Sequence, residues 1–126
     1  MKMILAIAAG GALGAVARHL AVHRVALLLG AGFPWGTLAV NVVGSFAMGL
    51  LIEISALVWQ PPGEVRAFLA VGFLGAFTTF STFALDVAVL YERGQLAATA
   101  GYIAGSVTLS VAALFAGMTL VRAFSA

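Results

Sequence analysis

The sequence predicts an all-helical membrane protein of four spans. Three observations carry this. Hydrophobic residues make up 63% of the chain and charged residues 8%, against roughly 45–50% and about 25% in soluble domains. The chain holds 126 residues, and at about 20 residues per crossing that suffices for four helices and little else. The apolar runs are continuous rather than alternating, which disfavours a β-barrel. Composition removes other classes. The absence of cysteine rules out a secreted disulfide scaffold. The hydrophobicity rules out disorder, and a formal charge of +2 is too small to suggest a nucleic-acid partner. No nucleophile–base pair and no Cys/His metal cluster is visible, so no enzyme is predicted. Residues 1–126 read as a single integral membrane domain whose function must lie between helices.

The first span is predicted at about 4–28. Met3–Ala17 is uncharged, Arg18, His19, His23 and Arg24 follow, and Val25–Leu29 resumes the apolar pattern. A signal peptide is the competing reading of this start, and the Arg–His cluster speaks against it. The second span, 36–58, is bracketed by Trp35 and Trp59, the residues expected at membrane interfaces. Gln60-Pro61-Pro62-Gly63-Glu64 breaks the helix. The third span covers 65–91, the loop Tyr91-Glu92-Arg93-Gly94-Gln95 follows, and the fourth covers 96–122.

With four spans, both termini and the second loop share one side, which holds Lys2, Arg66 and Arg122. The other side holds Arg24 and Arg93, with Arg18 if it snorkels that way. The positive-inside rule therefore gives almost no bias. Either a few charges are too few to decide, or copies insert both ways and pair as an antiparallel homodimer.

Polar side chains in lipid face protein or water. Thr37, Asn41, Ser45 and Gly49 recur every four residues, and Thr99, Tyr102, Ser106 and Ser110 recur at three, four and four. Each series lies on one helix face. Helix–helix glue explains a single hydroxyl. Asn41 needs a partner, since an unpaired amide at that depth is costly, and a permeating ligand is one candidate. From Gly72 to Thr82, six of eleven residues are Gly, Ser or Thr, interleaved with phenylalanines. A helix broken mid-membrane would expose carbonyls and amides able to coordinate ions; a regular helix with back-bonded hydroxyls is the bland alternative. Arg18 reads as snorkelling or as a positive field at a pore mouth. Glu53 and Asp86 fall near span ends and read as structural or solvated. His19 and His23 read as wet interfacial side chains or pH sensors.

Gly14-Ala15-Val16-Ala17-Arg18, Trp35-Gly36-Thr37-Leu38-Ala39-Val40-Asn41, and Gly72-Phe73-Leu74-Gly75 leading into Thr78-Thr79-Phe80-Ser81-Thr82-Phe83 resemble the Fluc (CrcB) family of fluoride channels. The resemblance covers all four spans and is most specific in the third. Ala76 departs from it, where the family often has a second glycine. The resemblance implies an antiparallel, dual-topology homodimer in the bacterial inner membrane, passing fluoride passively through two pores to relieve fluoride toxicity. It implies a structural sodium ion held at the third-helix break by the backbone carbonyls of Gly75 and Thr78 in both copies. It places Phe80 and Phe83 along the fluoride path, with Asn41, Thr37, Tyr102, Ser106 and Ser110 beside them and Arg18 at the mouth.

The chemistry is coherent. Fluoride is strongly hydrated, so a pore must replace water with hydroxyl and amide donors and electropositive ring edges. The anion would leave with the membrane potential, worth about 2.3 kcal/mol per charge per 100 mV. The runner-up class is a small four-helix multidrug or cation exporter. That class needs a carboxylate in its first helix, where this chain has Arg18. A non-transporting membrane subunit would leave Asn41 and the Thr/Ser/Phe stretch unexplained.

Overall fold

The computed structural model describes residues 1–125. Those residues form helices and no strands: α1 Lys2–Leu29, α2 Trp35–Leu57, α3 Gly63–Arg66, a π-helical stretch Ala67–Leu74, α4 Gly75–Phe77, α5 Ser81–Glu92 and α6 Leu96–Ser125. Four segments are long and apolar enough to cross a membrane: Lys2–Leu29, Trp35–Leu57, Gly63–Glu92 and Leu96–Ser125. The chain is a multi-pass membrane protein. The helices outrun the predicted spans by a few residues at most ends, because apolar content marks the lipid-facing length and not the last hydrogen-bonded turn.

The connections follow local chemistry. The Pro61-Pro62 pair cannot continue α2, and α3 begins at once after Pro62. Between α5 and α6, Gly94 takes φ +77°. Its N–H donates to the Tyr91 carbonyl at 2.9 Å, and the Gln95 N–H donates to the Leu90 carbonyl at 3.1 Å. That pair of bonds closes the α5 C-terminus in a Schellman turn, which needs a left-handed residue and so favours glycine.

The helices associate in two pairs, α2 chiefly with α6 and α1 with the first half of the third span. Both pairs close through glycine. A Cβ on Gly49 would collide with the Leu114 carbonyl, and one on Gly117 with the Phe46 carbonyl and, at 2.9 Å, the Leu50 nitrogen. Gly10 and Gly14 likewise admit the Phe68 and Phe73 carbonyls. Lipid offers no hydrophobic force between helices, so close backbone approach supplies the contact energy. Gly117→Val therefore forces α6 off α2. We expect loss of most monodisperse protein on gel filtration in detergent, with Ala100→Val, at an exposed position of the same helix, behaving as wild type.

The third span changes winding along its length. In the π-helical stretch the Gly75 N–H reaches the Ala70 carbonyl, five residues back. After Phe77 the chain leaves helical geometry: Thr78 is extended, with φ −88° and ψ 160°. Helix resumes at Ser81. Behind this segment Phe83, Leu90 and Tyr102 form the buried core, with Phe33, Leu38, Val87 and Ala98 around them.

Candidate functional site

Where the helix breaks off at Thr78 and Thr79, their polar groups must find other partners, and the structure shows where they go. The Thr78 hydroxyl donates back to the Leu74 carbonyl at 3.0 Å. The Thr79 N–H leaves the helix ladder and donates to Asn41 Oδ1 at 2.7 Å, while Asn41 Nδ2 donates to the Thr79 carbonyl at 3.0 Å. One side-chain amide thus pairs with both the N–H and the carbonyl of one residue, bridging two successive peptide groups. The Thr79 hydroxyl accepts the Thr82 N–H at 3.1 Å, capping the start of α5. Gly44 keeps this contact close, since a Cβ there would strike the Thr78 methyl.

These substitutions leave two carbonyls over. In a continuous helix the Gly75 carbonyl would receive the Thr79 N–H and the Thr78 carbonyl the Thr82 N–H. Asn41 and the Thr79 hydroxyl have taken those donors. Neither carbonyl accepts a replacement backbone bond among the described residues. Gly75 is exposed on the single chain and Phe80 is 78% exposed.

Beside this segment lies a cleft of about 290 Å³ lined by Asn41, Ser45, Thr78, Thr79, Phe80, Phe83, Ser106, Val107, Ser110 and Val111. The Ser106 and Ser110 hydroxyls are buried and have no hydrogen-bond partner among the described residues. The Phe80 and Phe83 rings stand 5.5 Å apart at 45°. No charged side chain lines the cleft. A second cavity of about 390 Å³ is lined by Ala15, Arg18, His19, Val22, His23, Ala26, Thr37, Thr79 and Thr82. Thr79 borders both, so the Asn41–Thr79 pair stands between them.

Of the residues singled out from sequence, Asn41, Phe80, Phe83, Ser106, Ser110 and Thr78 meet at the first cleft. Arg18 and Thr37 meet at the second. Tyr102 lines neither. It is 1% exposed, with the Phe83 ring 5.1 Å and the Phe33 ring 5.4 Å away, and its hydroxyl donates to Asp86 Oδ2 at 3.0 Å. The Thr99 hydroxyl bonds its own helix at the Gln95 carbonyl, 2.7 Å away.

Three partnerships escaped sequence reasoning. The Thr79 backbone as the partner of Asn41 left no signal, because Thr78, Thr79 and Thr82 are indistinguishable by type. Asp86 as the acceptor for Tyr102 joins two helices with no shared periodicity. Glu53 is buried and receives Arg122 on both oxygens, at 3.1 and 3.0 Å. That pair did have a signal. Glu53 is the only acid in the first two spans and Arg122 the only charge in the last, and both fall at span ends on the same side.

Comparison with known proteins agrees with this architecture. A family model described as CrcB-like protein, Camphor Resistance (CrcB), matches residues 5–118. The chain is 61% identical over 122 residues to the fluoride-specific ion channel FluC of Rhodospirillum centenum, covering 97% of each. It is 53% identical over 122 residues to a protein of that name from Chelativorans sp., covering 97% of this chain and 98% of the relative. A third, from Nitrobacter winogradskyi, is 53% identical over 119 residues, 94% of each. Since the matched region takes in the polar faces of α2 and α6 and the whole unwound segment between them, the chain belongs to the CrcB family.

Proposed function

We propose that this protein is a passive fluoride channel of a bacterial membrane, and that the first cleft is part of the pathway. The observation that carries this is the pair of buried, partnerless hydroxyls on Ser106 and Ser110. Buried donors are normally satisfied, and each one left over asks for a ligand. Two such donors one turn apart, facing a neutral cleft with phenylalanine rings on its rim, suit a small anion that must be passed along by weak serial contacts. The first turn of α5 adds the positive end of its helix dipole. Thr37 and Arg18 belong on this reading to the approach, the arginine concentrating anions at the mouth. Tyr102 shapes the wall from behind through Phe83. Export is downhill, from a cytoplasm where hydrogen fluoride has dissociated. The direct test is purified protein in fluoride-loaded liposomes with a fluoride electrode outside. Efflux on collapsing the potential supports the channel; retention of fluoride refutes it.

The same reading takes the working unit to be an antiparallel homodimer. Its support is the exposed Gly75, the exposed Phe80 and the near-equal charge of the two faces. Cysteines placed in turn at the N-terminus and in the loop Tyr91–Gln95 should each react with an impermeant thiol reagent from both sides of the membrane. Labelling of either from one side alone would refute dual insertion.

A sodium ion fits the donor set. The carbonyls of Gly75 and Thr78 lack partners among the described residues, and two antiparallel copies would bring four such neutral oxygens to a two-fold axis. Neutral carbonyls suit a monovalent cation, whereas Mg²⁺ dehydrates reluctantly and seeks carboxylates. When bound, the ion supplies a fixed positive charge and ties the copies together. The Thr78 hydroxyl, already bonded to Leu74, is left out of it.

A further inference from the structure

The proposed pathway makes no use of His19 and His23. We infer that these two side chains form a site for a borderline transition-metal ion, Zn²⁺ or Ni²⁺, at the mouth of the pathway. A spacing of four puts both on one face of α1. Their rings are within 8° of parallel, with centroids 6.5 Å apart. Helical zinc sites use this same spacing to present two imidazole nitrogens to one ion. Both side chains are exposed, and no hydrogen bond among the described residues holds either ring in place. Small rotations about their own side-chain bonds bring a nitrogen of each to the ion.

Two further facts set what the site binds and what binding does. The only full charge near it in the cavity is Arg18. The cavity lining holds no carboxylate, so Ca²⁺ and Mg²⁺, which need oxygen ligands, find none of the anionic ones they favour. Imidazole nitrogens suit Zn²⁺, Ni²⁺ and Cu²⁺. Two protein ligands leave positions open for water or an anion. The cavity runs from the histidines to Thr37 and Thr79, so the open positions look into the approach. Resting on the fluoride reading, the consequence is inhibition: a divalent cation at the mouth holds the hard anion that should pass through.

The test uses purified protein with any polyhistidine tag removed. Equilibrium dialysis against Zn²⁺ should show saturable binding, weakened about tenfold or more in His19→Ala and again in His23→Ala, since loss of even an outer-shell partner costs metal sites that much. In fluoride-loaded liposomes, external Zn²⁺ should slow efflux through wild type and leave His19→Ala unaffected, with the two equal in chelator. Equal Zn²⁺ binding by wild type and both variants overturns the site. Histidine-dependent binding with unaltered efflux overturns its place at the mouth. Histidine-dependent binding by a protein that passes no fluoride supports the metal site and refutes the transport reading instead.

Discussion

Replacing Asn41 with aspartate is expected to abolish fluoride efflux. The substitution acts twice at one place. Asn41 donates to the Thr79 carbonyl and accepts from the Thr79 N–H; aspartate keeps the second bond and sets an oxygen against a carbonyl in place of the first. It also puts a negative charge on the wall of a cleft that has none. Two like charges 4 Å apart repel by about 4 kcal/mol at an effective dielectric constant near 20, roughly a thousandfold in rate. The liposome assay reads this directly, and cross-linking shows whether the variant still assembles. A variant that assembles and conducts at the wild-type rate would place Asn41 off the path and leave it as a clamp for the unwound segment alone.

The second large effect concerns the proposed sodium ion. On the proposed sodium-bridged dimer, prolonged dialysis into a buffer whose only cation is bulky and organic should silence the channel, and brief exposure should not, because an ion enclosed by two copies would exchange slowly. Gly75→Val should be equally silent for a different reason. On the single chain a Cβ at Gly75 meets nothing closer than the Ala70 carbonyl at 3.5 Å, an ordinary contact. The single chain therefore has room for a Cβ there, and on the proposed dimer the damage falls on the approach of the second copy. The variant should purify as a folded chain with a weakened dimer. Thr78→Ser keeps the hydroxyl that bonds Leu74 and should conduct nearly normally. Full efflux after long sodium removal would mean that the two spare carbonyls are satisfied by something other than a cation.

The four spans and their order were legible because apolar runs broken by Pro-Pro or by a Gly-bearing charged loop have few other readings. The polar faces of α2 and α6 were legible from spacing alone, and Asn41, Ser106 and Ser110 do share one cleft. Pairwise commitments across helices were hidden. Nothing in the sequence tells that Tyr102 spends its hydroxyl on Asp86 and not on the cleft, because that depends on how α5 and α6 rotate about their axes. Nor does a run of threonines tell which peptide Asn41 will hold. The expectation that Glu53 is structural or solvated resolves to the first: it is buried and paired, since a carboxylate that close to lipid is stable only with a partner.

That pair has a consequence for how the chain is made. Glu53 and Arg122 are 69 positions apart. At about 5–20 residues per second of synthesis, roughly 3–14 seconds separate them at the ribosome. Throughout that interval the Glu53 carboxylate lacks its Arg122 partner, and water or headgroups at the span end must solvate it. The last helix brings the guanidinium that pairs with it. A chain cut short before Arg122 therefore carries an acid near the end of α2 without the partner that the finished chain gives it.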